Sequence, residues 1–178
     1  VDEAIPIPYT DPERKGETAY LSLVQVRYTE GDPQTYSLPL TFASGERAHR
    51  VQNDLPNAVV ARLHLKKTDE EGVLYDALWD DHFARVPLDA VMRSRRFKGT
   101  NGEITATPTR AMKTMTEGIE NINDLPVSIM KAEQSNTSVV YDNDIIIKFF
   151  RRLEAGMNPD LEIGRFLTEK RTFPNIPP

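Results

Sequence analysis

Glu133-Gln134-Ser135-Asn136-Thr137-Ser138-Val139-Val140-Tyr141, followed across Asp142-Asn143-Asp144 by Ile145-Ile146-Ile147-Lys148-Phe149-Phe150, is the stretch on which the reading of this 178-residue chain turns. A small-polar turn leads into an apolar strand, and a second apolar strand carries one lysine among large hydrophobes. Side chains alternate across a strand, so Ile145, Ile147 and Phe149 share one face, and Ile146, Lys148 and Phe150 the other. The run and its polar connection predict an antiparallel hairpin of Ser138 to Tyr141 with Ile145 to Phe150. An ammonium between apolar neighbours is costly to desolvate unless an anion meets it. A nucleotide phosphate would be such an anion, because turn amides just upstream can cradle phosphates. The plainer alternative is an edge-strand lysine whose stem runs along the apolar surface to water.

Downstream, Asn158-Pro159-Asp160 is a helix start: Asn at the cap, Pro in the first turn, Asp beside the positive end of the dipole. Ile163, Phe166 and Leu167 then fall on one helical face, with Glu162 at its border, one turn before Phe166. Hairpin, lysine and glutamate-bearing helix follow the order of a kinase N-lobe, where strand lysine and helix glutamate pair over the ATP phosphates.

On these residues the chain closely resembles the maltokinase family: Gln134-Ser135-Asn136-Thr137-Ser138, then Lys148-Phe149-Phe150-Arg151, then Asn158-Pro159-Asp160-Leu161-Glu162. Tyr36-Ser37-Leu38-Pro39-Leu40 and Gly72-Val73-Leu74-Tyr75-Asp76-Ala77-Leu78 are similar to that family's N-terminal cap. The resemblance implies a fold like the protein kinases and aminoglycoside phosphotransferases with an added cap, and ATP-dependent phosphorylation of maltose to maltose 1-phosphate. It implies that Gln134, Ser135, Asn136, Thr137 and Ser138 bind the nucleotide, with Ser135 to Ser138 covering its phosphates. Lys148 would bind the phosphates and Glu162 would be its ion-pair partner. It further implies ATP as cofactor and a trehalose synthase domain as a possible fused partner.

Phosphoryl transfer of this kind also needs a catalytic carboxylate, a metal-binding Asn and a metal-binding Asp from a C-lobe. No H-R-D-like or D-F-G-like segment occurs between Val1 and Pro178. The expectation is therefore an N-terminal portion of a sugar kinase, inactive alone, with no catalytic residue and no metal ligand of its own, the Mg2+ ligands belonging to the C-lobe. Two other readings stand beside it: another small-molecule phosphotransferase of the same superfamily, or a non-catalytic sugar-binding or interaction module that docks to a trehalose synthase.

The composition is that of a globular domain rather than a disordered tract, with 39% hydrophobic and 28% charged residues. A net charge of −5 offers no general attraction for nucleic acid or anionic membranes, so neither is expected as a partner. The basic knot Arg93-Ser94-Arg95-Arg96-Phe97-Lys98 could grip phosphates, but cations at a helix C-terminus account for it more simply. With no cysteine, disulfides and thiolate metal sites are excluded, and a cytoplasmic location is expected in the absence of a signal-like run. No stretch has the length and apolarity of a transmembrane helix. Asn136-Thr137-Ser138 matches a glycosylation sequon, read as accidental in a turn facing ATP.

The fold class expected is α+β: a β-rich cap with a helical segment over residues 1–96, then the antiparallel-sheet-plus-helix start of a kinase-like N-lobe over 97–178. Ile5-Pro6-Ile7-Pro8 through Gly16 reads as a proline-rich lead-in with little regular structure. Ala19 to Tyr28 and Gln34 to Phe42 read as a hairpin across Glu30-Gly31-Asp32-Pro33, with Pro39 at an edge or with its nitrogen facing outward. Ala58 to Lys66 and Val73 to Leu78 are further strands, and Asp80-Asp81-His82 opens a helical segment that breaks at Pro87 and resumes to about Arg96. Gly102 to Pro108 reads as a short strand. Asp76, Asp80, Asp81 and His82 could suggest a metal site, although N-capping explains Asp80 or Asp81. Tyr20, Tyr28, Tyr36 and Trp79 could form a sugar-stacking platform, although aromatics on hairpin strands more often pair across the sheet.

Overall fold

The computed structural model describes residues 1–12, 14–130 and 136–170. Its fold is α+β. Strands β1 (Glu3–Asp11), β2 (Arg14–Val26) and β3 (Gln34–Ser44) lead into helix α1 (Gly45–Asp54), and β4 (Val59–Leu65) and β5 (Glu70–Asp76) follow. These five strands form an antiparallel sheet in the order β1-β2-β3-β5-β4. Helices α2 (Asp81–Ala84) and α3 (Val86–Met92) come next, then a small hairpin of β6 (Arg96–Lys98) and β7 (Glu103–Thr105), then α4 (Arg110–Thr116). Strands β8 (Val127–Ile129), β9 (Asn136–Tyr141) and β10 (Ile145–Phe150) build a second antiparallel sheet, with β9 in the middle. β11 (Arg152–Leu153) returns to the first sheet alongside β3, and α5 (Pro159–Arg165) runs into a π-helical turn, Phe166–Lys170.

The proline-rich lead-in is a strand. Glu3, Ile5, Ile7, Tyr9 and Asp11 are buried, and the residues between them are exposed. The prolines concealed this period of two. β1 lies at the edge of its sheet, and Pro6 and Pro8 occupy positions of one parity, where a missing N–H costs no ladder bond if it faces away from β2. Pro39, by contrast, lies within an interior strand. Ser37 N donates to Arg151 O (2.7 Å) on the side where β11 lies, and β5 pairs with β3 only from Leu40 onward. Two residues after Ser37, the Pro39 nitrogen faces the same side, at the gap between β11 and β5.

Several boundaries differ from the sequence expectation. β5 begins in the acidic segment at Glu70 and stops at Asp76, and its expected last residues, Ala77 and Leu78, lie in a 3-10 turn, Ala77–Trp79. α3 ends at Met92 rather than near Arg96, because Ser94 takes a left-handed conformation (φ 51°) and Arg96–Lys98 pairs as a strand. The strand expected from Gly102 to Pro108 is confined to Glu103–Thr105, and β9 begins two residues before the expected Ser138, so Asn136 and Thr137 belong to the strand rather than to a turn. The expected β9–β10 hairpin is present with Ile145 opposite Tyr141. Asp142 and Asn143 both have positive φ (49° and 60°), and Asp144 N donates to Tyr141 O (3.1 Å), a type I′ arrangement that suits the twist of the strands.

The main core is continuous across the two sheets. Ile5, Ile7 and Ala19 join Leu78, Phe83, Leu88, Val139, Tyr141 and Ile145 in one buried cluster, with Ile147 and Phe149 packed against it. The division expected between 1–96 and 97–178 is not marked by a break in this core. Tyr141 ties β9 to α2 by donating its buried hydroxyl to Ala84 O (2.6 Å). A second, smaller cluster of Ala43, Ala48, Val51, Val73 and Tyr75 seats α1 on the sheet.

Glu3 is an acid that the fold uses directly. Its carboxylate accepts from Thr100 N (3.1 Å) and Asn101 N (2.5 Å), pinning the β6–β7 turn to β1. The Asn101 and Thr100 amides hold the carboxyl below its ordinary value. A depressed folded pKa gives stability that is present above the unfolded value near 4.5 and lost as pH falls through the lower folded value. Glu3→Gln is accordingly expected to flatten the acid limb of the stability–pH curve below about pH 4.5. Urea unfolding from pH 7 to 3 measures this, and parallel curves for both proteins would rule it out.

Candidate functional site

Of the nucleotide-site residues singled out by sequence, those described lie on β9 (Asn136, Thr137, Ser138), β10 (Lys148) and α5 (Glu162). The expected facing of β10 is present: Ile145 is buried and Ile147 and Phe149 are half-buried toward the core, while Ile146 (60% exposed) and Lys148 lie on the outer face. The lysine is therefore not desolvated. Its side chain is 41% exposed, and its ammonium sits 5.3 Å from the Phe150 ring centroid.

The carboxylate that meets Lys148 is Asp160, with Oδ2 3.6 Å from Nζ, and not the expected Glu162. Helix geometry gives the reason. Asn158 caps α5, its side-chain oxygen accepting from Asp160 N (2.9 Å), and this turns the first helical turn toward β10. Glu162, further along the helix, is exposed. The apolar stripe expected on α5 is largely open to solvent as well, with Ile163 57% and Phe166 46% exposed. An ion pair this exposed contributes at most about 1 kcal/mol to stability, so its arrangement costs little to change.

Of the expected nucleotide loop, Gln134 and Ser135 lie outside the described residues. Ser138 stands opposite Lys148 in the β9–β10 register and is buried. Thr137 is committed elsewhere: its Oγ1 accepts from Arg151 Nε (3.0 Å) and Nη2 (2.8 Å). Arg151 also forms a close salt bridge with Asp76, at the end of β5, and both side chains are largely buried. Burial pushes the Asp76 carboxyl up, against Arg151 and the Leu78 amide, which pull it down. Ser37 Oγ donates to Phe150 O (2.8 Å) beside this pair. The strand that carries Lys148 is thus fastened to the first sheet immediately after it leaves the second.

The remaining constellations separate in space. Asp76 serves Arg151, Asp80 caps α2 by accepting from His82 N (3.0 Å) and Phe83 N (3.4 Å), and Asp81 is exposed. Among the described residues no group of three or more His, Asp or Glu is placed to hold a metal ion. Tyr28 and Tyr36 do come together across the β2–β3 hairpin, their hydroxyls 2.9 Å apart, while Tyr20 lies further along β2, opposite Leu40.

Sequence reading missed a buried polar assembly built around Arg47. Arg47, from α1, forms a salt bridge to Asp11 (3.3 Å), another to Asp80, and donates from Nη2 to Tyr75 Oη (2.7 Å). Tyr75 donates in turn to Asp80 Oδ2 (3.1 Å), and the Tyr9 hydroxyl lies 3.3 Å from both Asp80 Oδ2 and Thr41 Oγ1. Burial opposes the Arg47 charge, but Tyr75 and Asp80 outweigh it and push its pKa up. Burial, then the Asp80 charge, pushes the Tyr75 hydroxyl up. The contributors are scattered from Tyr9 to Asp80, and the only local signal was the inward parity of Tyr9 and Asp11 on β1, which the prolines obscured.

No protein-family model matches the chain. No helix among the described residues is long and apolar enough to cross a membrane.

Proposed function

We propose that this chain supplies the nucleotide-phosphate side of an ATP-dependent sugar kinase of the maltokinase type, phosphorylating maltose to maltose 1-phosphate. The observation that carries the reading is the exposed ammonium of Lys148 on the outer face of a three-stranded antiparallel sheet, met by a carboxylate from the first turn of the next helix. That juxtaposition is what a phosphate-binding lysine needs: accessible to an anion, yet held in place by a neighbouring acid. ATP fits the outer face of β10, where Ile146 and Phe150 flank the lysine with apolar surface for a base or ribose and Lys148 supplies the charge. Asp160 holds the ammonium in the nucleotide-free chain, and Glu162, two residues further along the same exposed helix and on a different face of it, is the acid proposed to take over, by a turn of that helix, when the phosphates arrive. Mg2+ has no ligand set among the described residues, so its ligands, the general base and the maltose pocket are assigned to a C-lobe. The reading places the protein in the cytoplasm, with a trehalose synthase domain as a possible partner.

The test is nucleotide binding by the chain itself. Isotope-labelled protein titrated with ATP is expected to show weak, saturable shifts centred on Lys148, Phe150 and the first turn of α5, with no turnover of maltose. Shifts confined to other surfaces would remove the nucleotide from this site. Steady ADP release with maltose and magnesium would show that the catalytic groups are within these residues after all.

A second reading is supported by one observation of its own. The paired hydroxyls of Tyr28 and Tyr36 at an exposed hairpin edge resemble a sugar-contacting patch more than a core pair. Maltose binding by the chain without nucleotide would favour that non-catalytic module.

A further inference from the structure

A polar cleft of about 260 Å³ opens between β1, helices α2 and α3, and the turn around Glu120 to Asn123, on a different part of the molecule from Lys148. Its wall carries three guanidiniums, those of Arg85, Arg93 and Arg95. Arg93 Nε and Arg95 Nη2 each lie 2.8 Å from a different oxygen of the same carboxylate, Asp89. Arg85 is held by backbone alone: Nε and Nη2 donate to Leu125 O (3.2 and 3.0 Å) and Nη1 to Asp81 O (2.6 Å). Carbonyl oxygens fix the plane of that guanidinium without neutralising its charge, and no carboxylate among the described residues forms a salt bridge with it. The second acid on the wall, Glu120, is exposed at the rim. In a chain of net charge −5, this cleft is a local excess of positive charge built on a pre-set arginine.

We propose that the cleft binds a small phosphorylated compound, with the phosphate dianion on Arg93 and Arg95 and Arg85 behind it. Each arginine meets Asp89 through one nitrogen, and a guanidinium has five N–H donors. Both side chains are accessible, 66% and 40% exposed, whereas Asp89 is 14% exposed, so an incoming anion reaches the cations without displacing the core. Forked donors on two arginines suit the oxygens of a phosphate, and Thr10 and Asn123 on the same wall suit hydroxyls on the esterified part, while the Asn121 amide is engaged with Asn123 N (3.1 Å) and Asp124 (3.0 Å). The basic knot of the sequence is thereby divided. Arg93 and Arg95 face the cleft, while Arg96 pairs with Glu103 on the small hairpin (3.7 Å).

The site is independent of the nucleotide reading, and its test keeps the two apart. The labelled chain is titrated with inorganic phosphate and, separately, with glucose 1-phosphate at low salt, following the Arg Nε and backbone amide signals. Saturable shifts at Arg93 and Arg95, with a Kd of about 1 mM or tighter, are expected, unchanged by Lys148→Met. Tighter binding of the ester than of phosphate would assign the hydroxyl contacts, and equal binding would assign the free anion. The Arg93→Gln/Arg95→Gln double variant is expected to bind at least about tenfold more weakly with a native amide spectrum. Asp89→Asn, which removes the competing carboxylate, is expected to bind about threefold more tightly or better. No saturation by about 10 mM, undiminished binding by the double variant, or weakened binding by Asp89→Asn would each overturn the proposal.

Discussion

Arg47→Met is expected to lower the unfolding free energy by about 3–5 kcal/mol, enough to leave much of a marginally stable domain unfolded at 37 °C. The cause is what the substitution leaves behind. Asp11 and Asp80 are 7% and 5% exposed at their side chains, and the Arg47 guanidinium is the cation that meets both. Without it, Asp80 loses its salt-bridge cation in a poorly solvated site, Asp11 loses one of its contacts while keeping the His82 ring at 3.9 Å, and the Tyr75 hydroxyl loses a donor. Loss of a well-packed aliphatic stem would cost far less, and methionine keeps most of that packing. Urea unfolding followed by circular dichroism measures the effect. A loss below about 1 kcal/mol would mean that water or rearranged side chains compensate the acids. The double change Arg47→Met with Asp80→Asn is expected to recover part of the loss, because it removes the buried charge that loses its cation, at the expense of weakening the α2 cap.

Lys148→Met gives the opposite pairing of effects. If the chain belongs to the kinase proposed above, the change is expected to reduce that enzyme's turnover by a hundredfold or more, about 3 kcal/mol of transition-state stabilisation, because the ammonium is the one charge the β10 face would offer to the phosphates. Folding stability is expected to change by no more than about 0.5 kcal/mol, since the partner Asp160 is exposed and the pair is open to solvent. A lysine that merely packs predicts the reverse: a stability change with turnover intact. Turnover within about threefold of the unmodified enzyme would end the assignment of Lys148. Asp160→Asn and Glu162→Gln in the same enzyme separate the two acids. The proposed exchange of partners requires the Glu162 change to be the more damaging.

Much of the candidate site was legible because its signals are local. The cap Asn158, the proline after it and the apolar run of β10 act within a turn or a strand, and each formed as the spacing predicts. The Lys148 partner was not legible to the residue. Asp160 and Glu162 lie on the same short helix, and which one faces β10 depends on how the capped first turn approaches the sheet. Thr137 shows the same limit. A polar run before an apolar strand reads as a turn, yet Asn136 to Phe150 pairing carries the strand back into that run, and Arg151 takes the hydroxyl.

By itself the sequence determined the alternation of β4 and β10, the hairpin turn at Asp142 and Asn143, and the caps at Asp80 and Asn158. All are set by the dihedral preferences and hydrogen bonds of neighbouring residues, which short stretches of chain express unaided. Only the tertiary structure decided that the proline-rich opening is an edge strand, that Pro39 falls where β3 changes partners, and that Arg47 gathers Asp11, Tyr75 and Asp80. These depend on which strands lie side by side and on buried charges finding partners far away in sequence. The same holds for Arg151 and Asp76, which bind the Lys148 strand to the first sheet across a separation that no local pattern records.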